Sequence, residues 1–217
     1  MQNKELGFVL KRFLPFKQKL SVLCCRQGKI ELITNPPQKC RQLWPGMLIA
    51  FDLCNTFKKV HVANNIEIIL TPISNQKNRT IAICWLHNLL ELCYYFTPLQ
   101  NPESDLFYHL YNCCLITKFE RFFSDHLDII KKIYLLKFLE LIGFYPDKEF
   151  VPILNFYEQL TYASIDFNNR CQVESLKREL QKMKHSQIKK MEKWIISCLS
   201  SHPQFKIFKT IGMKDEF

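Results

Sequence analysis

Glycine is scarce in this chain, five residues in 217, and the five are spread from end to end. No loop able to cradle a phosphate can be built from them, which excludes the P-loop and the dinucleotide-binding fingerprint. H-E-x-x-H, G-x-S-x-G and the paired acids of a metal-dependent nuclease are all missing as well. The six histidines are dispersed, and His87 and His109 fall inside amphipathic segments, where an ordinary structural role is expected. No catalytic constellation remains, so the expectation is a protein without enzymatic activity, catalytic residue or cofactor. No uninterrupted apolar run reaches the ~18–20 residues of a membrane span. The opening Met1-Gln2-Asn3-Lys4-Glu5 is no apolar leader. A soluble, cytoplasmic protein with no membrane partner is therefore expected.

Cysteine is abundant, with ten residues, but C-x-x-C never occurs. The adjacent pairs Cys24-Cys25 and Cys113-Cys114 cannot chelate as a zinc knuckle does, and neighbours in a strand point to opposite faces. Most of the others lie in apolar runs, where a free thiol behaves as a small hydrophobe. Reduced core thiols and no metal are the expectation.

Acidic residues are what the first third lacks. Residues 1–79 carry 13 Lys and Arg against 4 Asp and Glu, whereas residues 80–217 carry 17 against 16. Of the net charge of +10, nine units thus fall on the first third. Solubility alone needs no such asymmetry, and a polyanion-binding module does.

The same third alternates with period two. Leu6, Phe8 and Leu10 share one face against Gly7, Val9 and Lys11; Leu20, Val22 and Cys24 repeat the pattern. Gln27-Gly28 offers a turn, and Ile30 and Leu32 alternate with Glu31 and Ile33. A break at Asn35-Pro36-Pro37 and a loop to Trp44-Pro45-Gly46 follow. Met47, Ile49, Phe51 and Leu53 then share a face, succeeded by Val60, Val62, Ile66, Ile68 and Leu70. Asn64-Asn65 reads either as a hairpin turn or as a bulge in one long strand. Five or six short strands in this length suit a small closed barrel or a sandwich.

Near Asn78 the period becomes helical. Ile81, Trp85, Leu89, Leu92 and Phe96 form one stripe that stops at Pro98, and Asn101-Pro102 offers a cap and first position for a second helix. Ser124 can cap a third, which carries Leu127, Ile130, Tyr134, Phe138 and Leu141 and stops at Gly143. A fourth is expected around Ile153–Ile165, and a last from Val173 to about Leu199, broken near His185-Ser186. The fold class expected is α+β, all-β then all-α: a barrel domain over residues 1–78 and a helical domain over 79–217.

The barrel supplies the candidate site. Lys11, Arg12, Lys17 and Lys19 flank the first turn, Arg26 and Lys29 the next; Lys39 and Arg41 sit on the long loop, and Lys58 and Lys59 begin a later strand. Basic side chains at strand ends can converge on a phosphate backbone. Phe13, Phe16, Trp44 and Phe57 lie beside these charges as candidates for base stacking. A second basic stretch, from Glu174 to Lys193, holds seven Lys and Arg against three Glu. Its Lys177, Arg178, Lys182 and Lys184 are candidates for a partner-binding face.

Three segments, in this order, resemble the RecO family of bacterial DNA repair and recombination mediators. Lys4-Glu5-Leu6-Gly7-Phe8-Val9-Leu10-Lys11-Arg12 resembles the family's opening strand. Leu20-Ser21-Val22-Leu23 with Gln27-Gly28-Lys29-Ile30 resembles the second strand, its G-K turn and the third strand. Phe138-Leu139-Glu140-Leu141-Ile142-Gly143-Phe144-Tyr145-Pro146-Asp147 resembles the L-x-x-L-G-Y-x-P-D helix end of the family's helical domain, and Phe205-Lys206-Ile207-Phe208-Lys209-Thr210 is a looser echo of its basic C-terminus. The resemblance implies an OB-fold domain before a helical one. It implies binding of single- and double-stranded DNA, strand annealing, and recombinase loading onto DNA coated by single-stranded DNA-binding protein. The implied partners are a RecR-like protein and the tail of single-stranded DNA-binding protein. Many members carry a four-cysteine zinc module after the P-D motif; here no cysteine follows Asp147 until Cys171, so no zinc is expected. The loop Asn35–Trp44 is also poorer in Gly, Arg and Lys than the family's. An RNA-binding or RNA-annealing OB protein, and a non-enzymatic scaffold for acidic proteins, satisfy the same charge pattern.

Overall fold

The computed structural model describes residues 4–13, 19–54, 61–72, 80–102, 104–114, 123–161 and 165–201, with the backbone alone described for 80–84. Five strands, β1 (Glu5–Phe13), β2 (Lys19–Cys24), β3 (Gly28–Thr34), β4 (Leu48–Cys54) and β5 (His61–Leu70), close into a barrel in the order β1-β2-β3-β5-β4. All pairings are antiparallel except β3 with β5. Alternate residues fill the interior: Val9, Leu20, Val22, Cys24, Ile30, Leu32, Ile49, Phe51, Ala63 and Ile66. Full burial of a large aliphatic or aromatic side chain contributes ~1.5–3 kcal/mol, so this lining is the barrel's principal source of stability.

Interior space is tight at β1. A Cβ on Gly7 would lie 2.4 Å from Val22 Cγ1. The face of Leu6, Phe8 and Leu10 is consequently the outer one, and Phe8 is buried there against the Phe107 ring at 5.1 Å. The β1–β2 register shifts between Val9 and Lys11, which pairs Lys11 with Ser21 and brings it to the Phe8 side. The expected Gly7–Val9–Lys11 face is thereby broken by a bulge, a device alternation alone does not reveal. Asn64 and Asn65 sit within the single long strand β5, with Asn65 at φ 49°; the pairing with β4 is irregular there, so of the two readings the bulge holds.

The strand-to-helix change falls between Leu70 and Thr80, yet the chain divides into two compact units later, Met1–Cys114 and Leu115–Phe217. Helices α1 (Thr80–Phe96) and α2 (Ser104–Cys114) belong to the first. The chain leaving α1 clamps the β2–β3 turn: Gln100 N–H donates to the Lys29 carbonyl at 2.8 Å. A Cβ on Gly28, whose φ is +67°, would lie 1.9 Å from the Asn101 carbonyl oxygen. Only glycine satisfies both the left-handed backbone and the close approach. Helix α2 starts at Ser104, beyond the Asn101-Pro102 start expected, with Asn101 held against Gly28 in irregular chain.

Among the described residues of the second unit every regular element is helical: α3 (Leu127–Leu141), α4 (Val151–Gln159), α5 (Arg170–Lys182), α6 (His185–Ser200) and two short 3-10 turns, Ser124–His126 and Lys148–Phe150. Ile130, Tyr134 and Phe138 of α3 are buried as their spacing predicts, and the Tyr134 hydroxyl donates to the Leu160 carbonyl at 2.8 Å. Ser124 opens a 3-10 turn and turns its hydroxyl to Asp125 rather than capping α3. At the other end Gly143 N–H donates to the Glu140 carbonyl, closing the helix where expected. Helix α4 stops at Gln159, short of the Ile165 expected, and α5 and α6 break at Met183-Lys184. Among the described residues no helix is long and apolar enough to cross a membrane.

Candidate nucleic-acid interface

Strand pairing gathers one end of the barrel. Phe13 pairs with Lys19, Lys19 with Ile33, Thr34 with Ala63, and Cys54 with Val62. The segments 14–18 and 55–60, which join β1 to β2 and β4 to β5, therefore both leave from this end. Lys17, Phe16, Phe57, Lys58 and Lys59 belong to those segments and lie outside the described residues.

Neighbouring residues on a strand project to opposite faces, so Lys11 and Arg12 head two different clusters. Arg12 shares the face of its partner Leu20, at the barrel mouth. Its guanidinium donates to the carbonyls of Arg41 (3.0 Å) and Leu43 (3.4 Å) and stacks 4.1 Å from the Trp44 ring centre. Trp44 is 51% exposed. The intervening chain forms a 3-10 turn (Pro37–Gln42) that carries Lys39, half-buried, and Arg41, exposed, and seals the barrel with Cys40. Arg12, Lys39, Arg41 and Trp44 thus share one segment of the rim.

On the outer face Lys11 sits among three rings, its Nζ lying 4.4 Å from the centre of Tyr94, 5.4 Å from Tyr95 and 5.6 Å from Phe13. Lys19 Nζ lies 5.4 Å from Phe13 and is ion-paired with Glu31. A cation against an aromatic face gains ~0.5–1 kcal/mol when exposed, and it keeps its charge while doing so. Glu91 of α1 supplies a counter-charge: burial pushes its carboxyl above the usual range, and the ammonium of Lys11 pulls the other way.

Two of the proposed cations are placed differently: Lys29 reaches the Tyr94 ring from within, its Nζ 5.3 Å from the ring centre, and Arg26 lies apart. Lys29 is 8% exposed and donates to the Tyr94 carbonyl at 2.7 Å, and burial holds its ammonium below the usual lysine range, opposed by Cys93 and Glu31. It ties α1 to β3. Arg26 lies on the turn between β2 and β3, at the opposite end of the barrel, where its backbone N–H donates to Glu5. Tyr94, Tyr95 and Glu91 are the residues sequence reasoning missed. The only signal for them was an adjacent Tyr pair in a stripe of Leu and Cys.

The second basic stretch is placed on α5 and the start of α6. Lys177 pairs with Glu174, Lys182 with Glu179, and Lys190 with Glu149, while Arg178 and Lys184 are exposed. Beside it, Ile153, Phe156 and Met183 line an open hollow of about 330 Å³ together with Gln159, Gln187 and the ion pair Glu179–Lys182. Among the described residues no group of three or more His, Cys, Asp or Glu could hold a metal ion. No family model matches the chain, and neither does any curated protein.

Proposed function

We propose that the barrel is an OB fold and that the chain is a non-enzymatic nucleic-acid-binding protein, a DNA repair and recombination mediator of the kind its resemblance to the RecO family implies. The strand order, with β3 and β5 as the parallel closure, supports the OB assignment. OB folds bind single strands on the β2–β3 face and with the loops joining β1 to β2 and β4 to β5. The single observation that carries the reading is Arg12 stacked on half-exposed Trp44 at the end of the barrel from which both loops leave. Backbone charge and stacking carry little base information, so binding is sequence-tolerant. The mechanism is positional: strands are held so that pairing or recombinase loading proceeds, and no bond is made or broken by the protein.

The test is binding of fluorescent single-stranded DNA, duplex DNA and RNA of one sequence. The expected result is retention of both DNA forms without RNA preference. A marked RNA preference moves the reading to an RNA-annealing protein, and no binding of any strand moves it to a scaffold for acidic proteins.

The helical unit is then the protein-docking half. The hollow beside α4 has an apolar floor that suits the hydrophobic end of a tail such as that of single-stranded DNA-binding protein, while Lys182 at its edge is paired with Glu179, so the acidic part of the tail would have to displace that carboxylate. Pull-down with that tail peptide, with and without its last residues, checks this; tail-independent capture contradicts it. A RecR-like partner rests on the resemblance alone.

A further inference from the structure

We infer that Phe13, Tyr94 and Tyr95 form a nucleobase-stacking platform around Lys11, which makes helix α1 part of the strand-binding surface. The ligand class is an unpaired base whose adjacent phosphate meets the Lys11 ammonium, so the inference deepens the nucleic-acid reading and rests on it. The rings are mutually tilted rather than sandwiched: Phe13 to Tyr94 is 6.2 Å at 62°, and Tyr94 to Tyr95 is 5.0 Å at 77°. Phe13, Tyr94 and Tyr95, like Lys11, are half-buried residues, so none of them is sealed into the core. Holding α1 on the barrel does not demand this arrangement. The neighbouring Leu10 and Leu23 are buried aliphatics, and Lys29 already ties α1 to β3 through the Tyr94 carbonyl, its Nζ also lying 5.3 Å from the centre of that ring.

The position is also suited to a strand. Phe13 is the last described residue of β1, immediately before the segment carrying Phe16 and Lys17, and its cross-strand neighbours are Lys19 and, one strand further, the exposed Ile33. A strand approaching from the barrel end where Phe13 pairs with Lys19 meets these two first, then Lys11 and the two tyrosines. Aromatic rings beside a basic track accept any base, because every base offers a π face. Glu91 and Glu31 limit the local positive potential, so stacking contributes a larger share of affinity here than at the Trp44 rim.

The experiment compares two single strands of equal length and phosphate number, oligo(dT) and the same strand with its central bases replaced by abasic sites. Wild-type protein is expected to bind oligo(dT) at least tenfold more tightly. Tyr94→Ala/Tyr95→Ala should weaken oligo(dT) binding by roughly 5- to 150-fold, the range for one stacked base, and shift abasic binding by less than twofold. Tyr94→Phe/Tyr95→Phe, which keeps the rings, should retain wild-type affinity for both. Equal wild-type affinity for the two strands overturns the platform while leaving nucleic-acid binding standing, and this comparison needs no variant to fold. An equal loss for both strands in the Ala variant also overturns it, since that marks a structural role. Failure of wild type to bind either strand overturns the nucleic-acid reading itself, and the platform with it.

Discussion

The two units are similarly basic but deploy their cations differently. Counted by compact unit, residues 1–114 carry 13 Lys and Arg against 7 Asp and Glu, and residues 115–217 carry 17 against 13. The asymmetry seen along the chain shrinks because α1, α2 and their connection add three acids and no Lys or Arg. In the barrel unit Lys11, Arg12 and Lys29 lie against rings, Lys19 lies against both a ring and a carboxylate, and Lys4 alone of these lies only against a carboxylate, Glu67. In the helical unit Lys132, Lys177, Lys182 and Lys190 lie against carboxylates, and Lys137 against both carboxylates and the Tyr157 ring. An ion pair largely cancels its own field, whereas a cation on a ring remains available to a phosphate. Net charge is therefore the poorer guide to a polyanion site, and the partner each cation has chosen is the better one.

The comparison breaks most readily by moving charge. Lys11→Glu/Arg12→Glu/Lys17→Glu is expected to weaken single-strand binding by about 100-fold or more at low salt, whereas Lys177→Glu/Lys182→Glu changes it less than threefold. Fluorescence anisotropy against a labelled oligonucleotide checks both, and similar losses in the two variants would erase the distinction. Next in size is Gly28→Val, which forces a Cβ onto the Asn101 carbonyl at a positive φ and should destabilise the barrel unit by ~3 kcal/mol or more. Hydrogen exchange should then rise in β2, β3 and the start of α2 while α3 to α6 keep their protection. Trp44→Ala follows, with a loss of ~1–3 kcal/mol in single-strand affinity and little change in melting temperature, since the ring is half exposed.

The smallest effect concerns thiols. Burial pushes Cys114 up to about 12 and raises Cys24 and Cys113 well above 9.0, all three in the barrel unit. A folded thiol with a raised value favours the neutral form, so its contribution to stability is complete below about pH 9 and is lost as pH climbs from there through the folded value. Alkaline titration followed by near-ultraviolet circular dichroism should show that loss. At pH 8 a thiol reagent should modify exposed Cys54 and Cys171 first and leave Cys24, Cys113 and Cys114 intact.

Much of the architecture was legible because period-two and period-3.6 patterns are local. Leu20, Val22, Ile30, Leu32, Ile49 and Phe51 announced the barrel lining, and Pro98 and Gly143 announced helix ends. What could not be read is what depends on distant chain. Alternation assigns Leu6, Phe8 and Leu10 to a common face without saying that α2 covers it. Tyr94 meets Lys11 across more than eighty residues of sequence, and the clamp of Asn101 on Gly28 carries α1 and α2 into the barrel unit. Lys29 looked like a surface cation beside a turn; only the packed helix makes it a buried strut. The rim residues fared differently, since Arg12 and Trp44 were each nominated from sequence, and their stacking required the fold.

The most direct test is the salt dependence of single-strand affinity. The affinity of the wild type should fall steeply with salt, with a logarithmic slope of about −0.7 for each phosphate neutralised on a single strand. Lys11→Gln/Arg12→Gln/Lys17→Gln should flatten that slope by ~2 units, and neutralising Lys177, Arg178, Lys182 and Lys184 should leave it unchanged. A slope that ignores the barrel substitutions and collapses with the helical ones would contradict the account.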